Sequence, residues 1–452
     1  MSYIPNTDVD RARMLEAIGL TSIEELFADI PEEVRFPPLD LPAPLSEMEV
    51  ARLLGELAER NADLDHHACF LGAGAYRHFV PAVVDHILGR GEFYTCYTPY
   101  QPEVSQGTLT AIYEYQTMVC QLTGMEVANA SMYDGASALA EAALMACRVT
   151  RREGIVASEA IHPEYRQVLR TYTQGIGLEI RSAGYVKDAP WGRTDLAQLR
   201  DLTDEETACV IVQYPNFFGV IEDLAAVGEI AHERGALFVV CADPIALGLL
   251  RPPGDCGADI VVGEGQALGS PPSFGGPYLG LFATRMKYVR QMPGRVVGRT
   301  RDTQGRRGFV LTLQTREQHI RREKATSNIC TNEALMALAA TVYLAAMGKG
   351  GLRRAAELCY HKAHHAAARI AELPGFEVLS EPFFKEFVVR MPRPPAEVNA
   401  QLLERRIIGG YDLGRAYPEL ANSMLLCVTE MNTREEIDAL VTALGEISEK
   451  AP

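Results

Sequence analysis

Two apolar segments of this chain end in groups suited to a pyridine-ring cofactor. Ala236-Leu-Phe-Val-Val-Cys-Ala-Asp243 reads as a strand closed by a carboxylate, and Ala258-Asp-Ile-Val-Val-Gly263 as a second strand one crossover later. Asp243 and the loop after Gly263 should therefore meet at one sheet edge. A carboxylate there can keep a pyridinium nitrogen protonated, and a lysine in the following loop can capture an aldehyde as an imine, the pair of groups that pyridoxal phosphate uses. The loop reads Gly263-Glu-Gly-Gln-Ala-Leu-Gly269, and Gln266 stands where the lysine belongs. A neutral amide forms no imine. The lysines of the chain are Lys187, Lys287, Lys324, Lys349, Lys362, Lys385 and Lys450, none of them between Asp188 and Met286. Lys287 lies in the basic run Arg285-Met-Lys-Tyr-Val-Arg290, whose plain reading is a solvated helix face; a relocated imine lysine at Lys287 or Lys324 is the rival reading.

Further candidates follow other strands. Tyr133-Asp-Gly-Ala-Ser137 opens a helix, and its free backbone N–H groups with the positive dipole end suit a phosphate. Asp134 serves equally as a simple helix cap. Ser158-Glu-Ala-Ile-His162-Pro sets an imidazole after a strand, where it could stack on a cofactor ring or merely start a helix. Ser137, His162, Asp243 and Gln266 together occur in the order that a pyridoxal-phosphate pocket uses, which none of them indicates alone. The stretch Gly91–Gly107 holds Tyr94, Tyr97 and Tyr100 with little periodicity, as binding loops often do. Arg321–Asn332 mixes charge with small hydroxyl residues ahead of a helix. His66 and His67, and likewise His361, His364 and His365, could suggest a metal, but the latter three have no carboxylate partner at matching spacing and read as solvated face residues, so no metal is expected.

The elements that must position these groups are strands near 126–130, 155–159, 178–183, 207–213, 236–242, 258–262 and 277–283, alternating with helices. Their continuous apolar character predicts a mostly parallel seven-stranded sheet covered on both faces, a doubly wound α/β domain. Residues 1–60 form an arm of short helices broken by Pro31, Pro37, Pro38, Pro42 and Pro44, of the kind that packs on a partner. The large α/β domain spans 61–325. Residues 326–452 hold two Ala-rich helices separated by Gly348-Lys-Gly-Gly351, then a small C-terminal α+β domain ending in a helix opened by the capping box Thr433-Arg-Glu-Glu436.

With 452 residues and a formal charge of −16, acidic groups being spread along the chain, nucleic acid and anionic membranes are poor partners. The ten cysteines include no Cys-x-x-Cys pair and read as reduced thiols of a cytoplasmic protein. The start shows no basic flank or apolar run of a leader, and no uninterrupted apolar stretch reaches membrane-spanning length.

Several long strings carry a resemblance: Gly72-Ala-Gly-Ala-Tyr76, Tyr97-Thr-Pro-Tyr-Gln-Pro-Glu-Val-Ser-Gln-Gly107, Tyr133-Asp-Gly-Ala-Ser137, Pro215-Asn-Phe-Phe-Gly219, Gly263-Glu-Gly-Gln-Ala-Leu-Gly269 and Glu323-Lys-Ala-Thr-Ser-Asn-Ile-Cys330. The chain resembles the P-protein family of the glycine cleavage system, and within it the N-terminal-half subunit. That resemblance implies a fold-type-I pyridoxal-phosphate-dependent, transferase-like architecture. It implies a homologous second subunit that holds the cofactor through its own lysine, in a heterotetramer of two plus two chains. It implies decarboxylation of glycine, with the aminomethyl group passing to the lipoyl arm of the H-protein. Because fold-type-I sites sit at dimer interfaces, Tyr97, Tyr100, Gln101, Thr326, Ser327 and Asn328 are the candidates for reaching the partner's site. Gln266 fits the subunit without the lysine. A scaffold that shapes its partner without touching substrate is the remaining alternative.

Overall fold

The computed structural model describes residues 5–449. The first four residues of the start read above for a leader, and Lys450, lie outside them. The chain divides into two compact units, Met1–Asn61 and Ala62–Pro452. The first contains the helices Asp8–Ala17 and Glu47–Ala58, each begun by a capping box, Thr7 with Asp10 and Ser46 with Glu49. None of its described residues is buried.

The second unit is built on a seven-stranded sheet. Its strands are β1 (Val127–Ala128), β2 (Gly154–Ser158), β3 (Glu179–Ala183), β4 (Thr207–Tyr214), β5 (Leu237–Ala242), β6 (Ile260–Glu264) and β7 (Gly280–Thr284), in the order β1-β7-β6-β5-β4-β2-β3. From β3 through β6 every neighbouring pair is parallel, while β7 runs antiparallel to both β6 and β1. All residues of β2, β5 and β7 are buried. Helices on both faces explain those uninterrupted apolar runs, since neither side of the strand meets water. In this arrangement the loops after β1, β2, β5 and β6 leave from one edge, where the candidate groups collect.

A smaller antiparallel sheet orders Glu377–Val378, Glu386–Arg390, Ser423–Cys427 and Tyr411–Asp412. It packs Phe387, Val389, Met424 and Leu426 against Ile437, Leu440, Val441 and Leu444 of the helix Arg434–Glu449, which Thr433 and Glu436 cap as expected. The helical stretch Ala334–Ala371 joins the two sheets and is broken at Gly348, whose φ of 59° and ψ of −177° suit glycine alone. By length and composition this stretch could cross a membrane. Its residues Ala337, Ala339, Ala340 and Tyr343 instead pack into the core of the large sheet.

Candidate functional site

At the sheet edge the segment Gly72–Phe79 threads between the large sheet and the small one, and almost every polar group around it is paired within the chain. Gln266 is fully buried. Its Oε1 accepts from the N–H of Tyr76 at 2.9 Å, and its Nε2 donates to the carbonyls of Tyr76 at 3.0 Å and Ser270 at 2.6 Å. The amide thus closes both backbone groups of Tyr76, much as a neighbouring strand would. An ammonium could serve the two carbonyls but could not accept from the N–H. Glutamine is here a structural residue as well as a missing nucleophile.

Asp243 follows β5 as expected, but its Oδ2 is already taken by the ammonium of Lys385 at 2.7 Å. Lys385 belongs to the small sheet region and is 1% exposed. Its Nζ lies 3.5 Å from the centre of the Tyr76 ring and donates to Nε2 of His78 at 3.2 Å. Burial is the largest influence and works against its charge, but the Asp243 carboxylate and the neighbouring Cys427 and Cys359 together outweigh it, so its pKa is held above the usual lysine value. Burial likewise opposes the Asp243 charge, and Lys385 outweighs it, leaving that carboxyl below its usual value. A lysine held as ammonium is no imine former, so Lys385 does not repair the loss at Gln266.

The ion pair continues into a buried network. His78 Nδ1 bonds Glu430 at 2.7 Å, Cys359 Sγ donates to the same carboxylate at 3.3 Å, and Lys362 donates to the carbonyls of Glu430 and Asn432. Burial raises Glu430, but His78, the Phe79 N–H and Cys359 together outweigh it and its pKa falls to about 2. Ligating atoms of His78, Cys359 and Glu430 lie within 4.8 Å of one another, a cluster that sequence spacing did not reveal. Both imidazole nitrogens are engaged, one by Glu430 and one by Lys385, which leaves no free lone pair for a cation. Neighbouring Glu386 accepts from the Ala73 N–H at 2.7 Å and from the Tyr76 hydroxyl at 2.9 Å, and burial pushes its pKa up to about 7.

The other candidate pocket residues are also bonded within the chain. His162 stands after β2, but its ring stacks on Tyr165, with centroids 4.8 Å apart and planes 25° apart, and meets Phe217 edge-on at 4.7 Å. Its Nε2 donates to the Ala73 carbonyl at 2.9 Å while Nδ1 accepts from Glu164, the neutral tautomer that agrees with a pKa lowered by burial. The turn before Gly135–Thr150 is a capping box: the Ser137 N–H goes to Asp134, and the Gly135 N–H to Glu264 Oε2 at 2.9 Å. Glu264 Oε1 also accepts from the N–H groups of Gln266 and Leu279. Burial drives that carboxyl up to about 7 against these donors. A Cβ on Gly135 would come within 2.7 Å of the Tyr165 hydroxyl, so the space before the turn is occupied. Asp243, His162, Glu264 and Tyr76 surround a residual cavity of about 30 Å³. Such a volume admits a water or two, and the residues present do not fit pyridoxal phosphate.

Of the histidines read as solvated, His364 is an exception: its ring stacks on Phe383, with centroids 3.9 Å and planes 4° apart. Lys287 is exposed and lies 3.7 Å from Asp259, and Lys324 is exposed, so neither reaches this cavity.

The aromatic loop and the later hydroxyl-rich run come together through Arg295, which sequence reading passed over. This guanidinium, 6% exposed, donates to the Tyr100 hydroxyl at 3.2 Å, the Cys330 carbonyl at 2.9 Å and Asn332 Oδ1 at 3.0 Å. Tyr97 is 86% exposed, and Gln101 and Asn328 are also exposed. Thr326 and Ser327 are half-buried: the Thr326 N–H bonds the Arg316 carbonyl, and Ser327 Oγ accepts from the Ile329 N–H. Beneath the loop is a cavity of about 180 Å³ lined by Tyr94, Tyr97, Tyr115, Arg295 and Leu338.

This architecture is shared with proteins of low sequence similarity. A sphingosine-1-phosphate lyase from Burkholderia pseudomallei superposes with a TM-score of 0.68 at 17% identity, covering 93% of this chain and 95% of that one. A NifS-like protein does so at 0.63 and 14%, covering 85% and 100%. The fold is that of the fold-type-I pyridoxal-phosphate class. Within that class, residues 1–444 match the family described as glycine cleavage system P-protein, and the chain belongs to it. A relative from Thermomicrobium roseum, named "Probable glycine dehydrogenase (decarboxylating) subunit 1", is 60% identical over 448 residues, 99% of each chain. One of the same name from Desulforamulus reducens is 56% identical over 450 residues, 99% of this chain and 100% of that one. A crystal structure of glycine decarboxylase (P-protein) of the glycine cleavage system, in inhibitor-bound form, superposes with a TM-score of 0.90 at 48% identity over 99% of this chain and 100% of that one.

Proposed function

We propose that this chain is the lysine-lacking half of a two-chain, glycine-decarboxylating enzyme of the cytoplasm. A homologous second subunit holds pyridoxal phosphate through its own lysine, and two such pairs form a heterotetramer. The observation that carries this reading is the fate of Gln266 and Asp243: the imine position is an amide stapled to Tyr76, and the ring-nitrogen carboxylate is committed to Lys385. Bound by the partner, the cofactor supplies an electron sink for the carbon that loses carbon dioxide. The aminomethyl group then passes to the lipoyl arm of the H-protein.

This chain's own share is positioning. Arg295 braces Tyr100 and the 330–332 run into one surface, on which exposed Tyr97, Gln101 and Asn328, with Thr326 and Ser327 behind, are set to complete the partner's substrate site. An obligate interface of this type buries roughly 2,000 Å² or more. The test is reconstitution with the lysine-bearing subunit and lipoylated H-protein, scored by carbon dioxide release from glycine. Each chain alone should be silent and the pair active. Tyr97→Ala should lower turnover with assembly intact, and undiminished turnover would favour a pure scaffold.

A further inference from the structure

We propose that this chain fills its own cofactor pocket with protein groups: Lys385 completes Asp243 in place of a ring N–H, Tyr165 covers the His162 face that a ring would need, and Glu264 takes the backbone donor that would cradle a phosphate. The proposal deepens the reading above and rests on it for what the pocket descends from. Its test reads stability and ligand binding by this chain, not turnover, so the two can fail separately.

Each substitution is complete in its contacts. Lys385 approaches Asp243 Oδ2 at 2.7 Å, and the other carboxylate oxygen accepts from the Ile245 N–H at 2.9 Å, so both Asp243 oxygens already hold a donor from this chain. His162 has Tyr165 on one side and Phe217 at an edge, with both ring nitrogens bonded. Glu264 joins the Gly135 N–H at the helix start to the Gln266 N–H in the loop after β6. A free anion there would have to displace a carboxyl group that is tethered to the adjacent strand. The leftover cavity of about 30 Å³ is an order of magnitude smaller than the roughly 300 Å³ at which small-molecule sites begin.

The arrangement has a structural consequence. Lys385 directly precedes the strand Glu386–Arg390 of the small sheet, while Asp243 directly follows β5 of the large one. The ion pair therefore joins the two sheets through the pocket, and Tyr76, under the ammonium, ties both to Gln266. A side chain, rather than a ligand, bridges the two sheets here. If Lys385 is cut back, the vacated space faces a buried carboxylate and becomes a site for a small organic monocation that carries an N–H.

The experiment uses the full chain with Lys385→Ala, melted with pyridinium chloride or with tetramethylammonium chloride at equal ionic strength. The variant should melt below the parent, and pyridinium should raise its Tm while leaving the parent unmoved; tetramethylammonium, with no N–H to donate, should not. A variant that melts with the parent, or one that responds equally to both cations, overturns the proposal. If Lys385→Ala does not fold, the double variant Asp243→Asn/Lys385→Met should fold and melt above either single variant; no gain over the singles overturns it. Independently, the parent is titrated with pyridoxamine 5′-phosphate, whose lack of an aldehyde avoids surface lysines. No saturable fluorescence change is expected, and one-to-one saturation would overturn the proposal.

Discussion

Replacing Gln266 asks whether this residue is a relic or a structural member. Gln266→Leu keeps the volume nearly constant, so little cavity cost enters. It removes three hydrogen bonds and leaves the buried Tyr76 N–H without an acceptor. An orphaned buried donor costs about 1–3 kcal/mol and each further lost bond about 1 kcal/mol, which together give about 3–5 kcal/mol. The roughly 390 residues of the unit Ala62–Pro452 carry an unfolding entropy of about 0.8 kcal/mol per kelvin, so Tm should fall by about 4–6 °C. Gln266→Lys should fall at least as far, because an ammonium cannot accept from Tyr76. It should also gain no imine, since the lost lysine is not the only obstacle. Calorimetry measures the melts, and borohydride reduction with excess pyridoxal phosphate, followed by peptide mass analysis, tests for an adduct. The reasoning is refuted if Gln266→Leu melts within about 1 °C of the parent, or if position 266 of the lysine variant becomes pyridoxylated.

Burial pushes the Glu264 carboxyl up to about 7 from an ordinary 4.5, so the folded state binds more protons between those values and the group's contribution to stability declines as pH rises through them. Relative to the parent, Glu264→Gln should therefore gain Tm steadily from pH 4.5 to 7; a flat difference would reject the buried, half-protonated carboxyl. Arg295→Ala frees Tyr100 from Cys330 and Asn332, and displacement of a positioning loop should lower turnover of the reconstituted complex by about ten- to a hundredfold with assembly intact, read by steady-state rates and limited proteolysis of 91–107. Gly348→Ala meets no neighbouring atom but must hold φ 59° with ψ −177°, which should cost about 1–3 kcal/mol; an unchanged melt would mean that the break between the two helices relaxes freely.

Burial on both sheet faces made the central strands legible. The stretch expected at 207–213 forms Thr207–Tyr214, and that expected at 236–242 forms Leu237–Ala242. The first strand shrinks from 126–130 to Val127–Ala128 because it is an edge strand with a partner on one side only. Asp243 and Gln266 were legible as edge positions, but their partners were not, since hydrogen bonds from Gln266 to Tyr76 and the ion pair from Asp243 to Lys385 join residues far apart in the chain. One clue was present: Lys385-Glu386 interrupts the run Phe383-Phe384 and Phe387-Val388-Val389, and adjacent charges inside a buried strand demand partners elsewhere. Arg295 gave a weaker signal of the same kind, a lone cation before Val296-Val297. The pairing of Ala68–Cys69 with Ile407–Ile408 had none, being two residues long on each side.

The central question for this protein is which chain holds the cofactor covalently. The assembled complex, loaded with pyridoxal phosphate, is reduced with borohydride and each chain is weighed by mass spectrometry. The account predicts a pyridoxyl group on the partner and an unmodified mass for this chain; a stoichiometric pyridoxyl group on any lysine of this chain, Lys385 included, would contradict it.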